Sequence, residues 1–260
     1  MKKSGQITIF IILGVIILIS AIAFLALKSS LLSQWSEVEP KAVQEAALSG
    51  ESIKSYVDSC IISTAKDAIF ENGLSGGYFI LPEQSTTDLF DNVPYYFKDG
   101  TDLSPTDEIL AQEIASYVDT MLDLCLDGFE VFEEQGYKVT ASNPISEAVF
   151  SPEKIIIKTA YPITASLGAA TQQMSDFRVE LSTTEFYQNI LAAREIVTSQ
   201  EQGELCLSCF SDLAAENELF VNILPTFDNI YVIDITDNNY LITGQNYRLR
   251  FAIQYDDTLE

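Results

Sequence analysis

The stretch Ile7 to Leu27 reads ITIFIILGVIILISAIAFLAL, 21 residues without a charge. At 1.5 Å rise per residue such a helix is about 30 Å long, the thickness of a bilayer hydrocarbon core. Its two hydroxyl residues, Thr8 and Ser20, can bond back to helix carbonyls. Lys2 and Lys3 precede the run, which sets the N-terminus inside. Residues 28–260 are then carried to the outer side, and Trp35 falls near headgroup level. A cleaved secretory signal has an apolar run of about 7–15 residues ending at a small-x-small site. This run is longer, and Ala21-Ile22-Ala23 lies within it. The expectation is a single-pass membrane protein, held in the lipid bilayer through residues 7–27.

The rest of the chain is acidic. Formal net charge is −24, from 14 basic and 38 acidic residues, and no acid precedes residue 28. A surface of that sign repels nucleic-acid phosphates, so no nucleic-acid role is expected. The chain has no histidine. That removes Ser–His–Asp and Cys–His catalysis and His-ligated metal sites. No Walker A loop, dinucleotide glycine pattern or N-x-[ST] sequon is present either. The expectation is that the protein is not an enzyme and carries no cofactor.

The residues Lys2-Lys3-Ser4-Gly5-Gln6-Ile7-Thr8-Ile9-Phe10 resemble the class III signal of archaeal type IV pilin-like proteins. The resemblance implies cleavage between Gly5 and Gln6, leaving the apolar helix attached. Gln6 and Thr8 match the first and third mature positions, whereas Phe10 stands where the family normally has glutamate. In that family the carboxylate neutralises a neighbour's N-terminal amine within the apolar filament core. Without it, a buried amine lacks its partner. The departure favours a version that is anchored but does not assemble. Further along, Tyr56-Val57-Asp58-Ser59-Cys60, Gly76-Gly77-Tyr78-Phe79 with Pro82, Ala160-Tyr161-Pro162-Ile163 and Tyr247 to Ala252 resemble single-pass proteins of small-genome archaea. That group has no activity to carry over.

The expected fold class is α+β: a transmembrane helix and helical stalk, a helix pair, then a mainly antiparallel sheet. The expected divisions are a basic leader 1–6, the transmembrane helix 7–27, a stalk 28–50, a helical part 51–130 and a β-rich part 131–260. Pro40 and Gly50 interrupt the helical pattern of Leu31–Phe70. From Glu51 to Phe70, Ile53, Val57, Cys60, Thr64 and Ala68 fall on one helical stripe. Ser104 suits an N-cap, with Pro105, Asp107 and Glu108 in the first turn. Leu110, Ile114, Tyr117 or Val118, Met121 and Cys125 make the second stripe, ending near Gly128.

Between the helices, Asn72-Gly73, Gly76-Gly77 and Asp99-Gly100 signal turns, and Tyr78–Leu81 and Pro94–Phe97 read as short strands or packed aromatic segments. Further strands are expected at Tyr137–Thr140, Ala148–Phe150, Lys154–Thr159, Phe177–Leu181, Leu219–Leu224, Ile230–Thr236 and Tyr240–Thr243. A turn is expected at Asp237-Asn238-Asn239, and a helix from Thr183 or Thr184 to Ser199 with Ile190, Ala193 and Val197 inward. Tyr247, Leu249, Phe251, Ile253 and Tyr255 alternate with Arg248, Arg250, Ala252 and Gln254, as on a strand covered on one face.

Four cysteines in an exterior domain read as disulfides. Three pairings exist. Cys60 and Cys125 lie on the inward stripes of two helices expected to be neighbours, which favours Cys60–Cys125 with Cys206–Cys209. Two other readings remain: a redox-active CxxC at a helix N-terminus and a four-cysteine zinc site. Asp234, Asp237 and Asn239 read as a solvated turn, with calcium as the sharper alternative. Glu130, Glu133 and Glu134 read as a surface charge cluster. The expected function is a membrane-anchored cell-surface structural or interaction protein, pilin-like. The alternatives are an anchored ectodomain for adhesion or envelope maintenance, and an extracytoplasmic thiol oxidoreductase. Self-assembly or other envelope proteins are the expected partners.

Overall fold

Two helical stripes and a run of alternating strands have to share one core, and the computed structural model shows how. It describes residues 50–86, 92–151, 153–182, 184–200 and 205–255. The leader with Gly5 and Gln6, the apolar run 7–27 and the stalk up to residue 49 lie outside the described residues. Among the described residues, no helix is long and apolar enough to cross a membrane.

Helix α1 (Gly50–Leu74) carries the first stripe, and Ile53, Val57, Cys60, Thr64 and Ala68 are all buried. Ile61, Ala65 and Ile69 are buried as well, so the apolar arc is wider than one stripe. A helix apolar over much of its circumference must be covered on several sides. It runs past the expected end at Phe70 and leaves through a turn in which Ser75 and Gly77 donate amides to the Asn72 carbonyl. An added Cβ at Gly73 would overlap the Arg248 carbonyl oxygen, so glycine is needed where the helix end meets the last strand. Gly76, at φ +61°, presents its carbonyl to the Tyr96 hydroxyl at 2.8 Å. Tyr78–Leu81 does not form a strand; Phe79 packs edge-on against Tyr117 instead. The amides of Phe79 and Ile80 are both taken by the Glu113 carboxylate, at 2.8 and 3.2 Å.

Helix α2 (Asp107–Leu126) begins later than Ser104 predicts. The N-cap is Thr106, whose hydroxyl accepts from the Ile109 amide. Ser104 instead donates its amide and hydroxyl to the Asp102 carboxylate. Leu110, Ile114, Tyr117, Val118, Leu122 and Leu126 are the buried set; Met121 and Cys125 sit at its half-buried margin. The helix stops where Asp127, Gly128 and Phe129 all take positive φ, and one further turn, α3 (Glu130–Glu133), follows. Glu130, Glu133 and Glu134 are exposed, as a surface cluster should be.

Strands β1 (Tyr95–Lys98) and β2 (Thr101–Asp102) join β7 (Phe220–Pro225), β8 (Ile230–Ile242) and β9 (Gln245–Gln254) in a five-stranded sheet ordered β2-β1-β9-β8-β7. Among the described residues of this sheet, only β1 and β9 pair in parallel. The sheet thus draws strands from both sides of residue 130. The second sheet is wholly antiparallel. Within it, β3 (Lys138–Ala141) and β4 (Ile145–Phe150) take successive halves of one edge of β5 (Lys154–Leu167), and β6 (Ala170–Ser182) takes the other. β5 is longer than expected because its register shifts between Ala160 and Ile163, where Pro162 sits and no ladder amide is needed. β8 is likewise one strand, not two. The residues Asp237-Asn238-Asn239 form an irregularity within it, and the reversal into β9 occurs at Thr243-Gly244, both at positive φ.

Helix α1 packs on α2, on β6 of one sheet and on β9 of the other. Helices α4 (Thr184–Thr198) and α5 (Leu207–Glu216) cover the five-stranded sheet, with Ile190, Ala193 and Val197 inward. The inward residues of β9, Tyr247, Leu249, Phe251, Ile253 and Tyr255, are buried as the alternation predicts. Ala252 on the opposite face is buried too, beneath a small cluster with Val93, Tyr95 and Val232. The fold is therefore mixed α+β with largely antiparallel sheets.

Cys60 and Cys125 are joined, with Cα atoms 5.6 Å apart, and the Tyr56 hydroxyl donates to the carbonyls of Cys125 and Leu126. This bridge closes 65 residues of sequence. On the chain-entropy account such a closure is worth about 4 kcal/mol. The double variant Cys60→Ser, Cys125→Ser should lose stability of that order in urea unfolding; a loss under ~1 kcal/mol would contradict this role.

Candidate functional site

The second cysteine pair lies beside a surface groove. Cys206 stands at the N-cap of α5, where its Sγ accepts from the Cys209 amide at 3.3 Å. The pair is joined, with Cα atoms 5.4 Å apart, and both residues are half-buried. All four cysteines are thus in disulfides, so no thiolate set is left for zinc.

Gln200, just past the end of α4, holds this turn in place. Its side-chain amide donates to the Ile196 carbonyl at 2.6 Å. Its oxygen accepts from the Tyr255 hydroxyl at 2.8 Å and from the Cys206 amide at 3.2 Å. One buried side chain so links α4, the start of α5 and the end of β9. Beside it runs a groove of about 530 Å³ lined by Leu205, Leu207, Ile223, Pro225, Asn229, Tyr231 and Tyr255. Leu205 and Leu207 flank Cys206 in sequence, so the groove and the disulfide are neighbours. The Tyr231 and Tyr255 rings meet edge-on, 6.2 Å between centroids. Burial, with a smaller contribution from Tyr231, pushes the Tyr255 hydroxyl up to about 12, so it stays a donor. The lining is apolar and aromatic with one carboxamide. None of the lining side chains carries a charge.

The carboxylates weighed for calcium do not converge. Asp234 lies on the outer face of the five-stranded sheet, ion-paired with Arg248 and 3.9 Å from Arg250. Asp237 is turned to the other face. One of its oxygens accepts from the Asn239 and Tyr240 amides at 2.9 and 3.1 Å, the other from the Asn189 side chain at 2.9 Å. Asp237 is the side chain that closes the strand irregularity, not a solvated turn residue. Among the described residues, no three Cys, Asp or Glu side chains are grouped to hold a metal ion.

Sequence reasoning found the CxxC but missed Gln200, Asn229 and Tyr231. Their roles come from distant elements meeting, and no local spacing announces that. It also missed the clamp on the start of α2, where Arg194 bonds the Asp107 carboxylate at 2.8 Å and the Pro105 carbonyl at 2.6 Å, with Tyr187 adding a third bond.

Burial pushes Tyr240 as well as Tyr255 up to about 12. A free tyrosine ionises near pH 10. The raised folded values favour the protonated native state, so this stabilisation is complete below about pH 10 and is lost as the pH rises toward about 12. Urea midpoints measured across that window should fall steadily, and Tyr255→Phe should flatten the fall; a midpoint independent of pH there would contradict the assignment. Comparison with protein-family models, with curated proteins and with solved structures found no match to this chain.

Proposed function

We propose that this protein is a membrane-anchored cell-surface interaction protein, pilin-like in its leader and anchor, whose acidic α+β ectodomain presents the groove beside Cys206 to a partner. The observation that carries the binding role is the groove lining. Six of its seven residues are apolar or aromatic, and the seventh, Asn229, is a neutral amide. Such a surface holds a ligand by burial and shape, with the amide fixing orientation. The apolar run 7–27, the flanking lysines and the Gly5-Gln6 junction supply the anchoring half of the reading. Disulfides in the ectodomain fit an oxidising compartment. Phe10 in place of glutamate favours an anchored ectodomain, for adhesion or envelope maintenance, over a filament subunit.

One observation favours a second reading, thiol–disulfide exchange at Cys206–Cys209. Cys206 caps a ten-residue helix, half-exposed, beside a groove that could seat a client segment. In that chemistry a client dithiol is oxidised as the Cys206–Cys209 bond is reduced, with a client thiolate attacking one sulfur and the resulting mixed disulfide resolved by the client's second thiol.

Mass spectrometry of the native protein from membranes tests the first reading. The N-terminus should begin at Gln6, and the protein should remain in the membrane fraction after a high-salt wash. An intact Met1 or a salt-released protein contradicts it. Equilibration of the folded protein with reduced glutathione, followed by alkylation, separates the two readings. An interaction module keeps all four sulfurs blocked; an exchange catalyst exposes Cys206 and Cys209 while Cys60–Cys125 stays joined.

A further inference from the structure

Among the described residues, five strands lie at sheet edges: β2, β3, β4, β6 and β7. An edge strand offers unpaired backbone groups to any passing chain, and a charge on the strand is the common safeguard. Four of the five carry one: Asp102 on β2, Lys138 on β3, Glu147 on β4, and Asp176, Arg178 and Glu180 on β6. The exception is β7, Phe220-Val221-Asn222-Ile223-Leu224-Pro225, which has no charge and a proline only at its last position. The uncharged stretch extends from Leu219 to Phe227, between Glu218 and Asp228. Its outward side chains include Phe220 at 60 % and Leu224 at 45 % exposure. β7 is paired only with β8, and its other edge faces no strand among the described residues.

We propose that two copies of this chain pair through β7, antiparallel about a two-fold axis at Asn222, joining their sheets into one of ten strands. The sequence of the strand is what selects a second copy. Phe-Val-Asn-Ile-Leu has the same order of bulk and polarity read in either direction. An antiparallel pair centred on Asn222 sets Phe220 opposite the second copy's Leu224, Val221 opposite its Ile223, and the two Asn222 carboxamides opposite each other. Every apolar residue meets an apolar one, as an isologous contact requires. Charge points the same way. Two chains of −24 repel over most of their surface, and an uncharged edge is where they can approach most closely. An unrelated strand would need only apolar complementarity and would gain nothing from the symmetry. This pairing does not rest on the anchor or the leader, so the N-terminal mass bears on neither its success nor its failure.

The full chain in detergent micelles provides the test. Sedimentation should show a concentration-dependent dimer whose fraction rises with salt, because screening weakens the repulsion. Asn222→Lys, at an exposed position opposite Asp234 of β8, leaves the fold intact and sets two ammonium groups face to face across the axis. It should weaken association by about tenfold or more. Register is read by cross-linking. Asn222→Cys should form a disulfide-linked dimer by itself. Phe220→Cys and Leu224→Cys should each stay unlinked alone and link to one another when mixed. A monomer at all concentrations, a dimer unaffected by Asn222→Lys, or self-linking by Leu224→Cys equal to that by Asn222→Cys would overturn the proposal. Retention of a different protein on β7, with the chain itself monomeric, would overturn it too.

Discussion

The covering of α1 is the constraint on which the rest of the fold depends. Ile53, Val57, Ile61, Ala65, Ala68 and Ile69 spread over a broad arc of the helix, with Ser55, Ser59, Ser63 and Lys66 exposed on the other side, and so wide an apolar arc is stable in water only when several neighbours cover it. Helix α2 takes one side, β6 another and β9 a third. Two sheets that share no strand are joined in one core because both rest on the same helix. The Cys60–Cys125 bridge and the Tyr56 hydroxyl fasten the α1–α2 pair, and the glycine at position 73 lets β9 close over the end of α1.

Much of this was legible in the sequence where the signal was periodic. The α1 stripe, the inward residues of α4 and the alternation of β9 each follow from a regular spacing of apolar residues, and each is buried as spaced. The favoured disulfide pairing followed from the same stripes. What the sequence obscured were places where one residue departs from its usual meaning. The expected strand Lys154–Thr159 stops short, because β5 continues past Pro162 through a register shift that needs no amide there. Asp237-Asn238-Asn239 carries the composition of a turn, yet the Asp237 carboxylate caps an irregularity inside β8. Ser104 offered a good cap and lost the position to Thr106: its hydroxyl is bonded to the Asp102 carboxylate, while the Thr106 hydroxyl accepts from the Ile109 amide.

The candidate site was legible in half. The CxxC spacing is local and visible; the groove is not, because Leu205 and Leu207, the β7–β8 hairpin and the end of β9 meet only in the folded chain. Gln200 shows why. Its carboxamide matters because Tyr255, 55 residues away, delivers a hydroxyl to it. The acidic surface, the uncharged β7 edge and the groove are the features on which the proposed recognition role rests.

The central structural claim is that α1 is the element around which both sheets are organised. Native-state hydrogen exchange of the full chain in detergent tests it most directly. The account predicts that amides from Val57 to Ile69 are among the slowest to exchange and open only with global unfolding, in step with the centres of β5 and β9. If α1 exchanged through a local opening of much lower free energy while β5 and β9 stayed protected, the two sheets would not depend on it and the account would be contradicted.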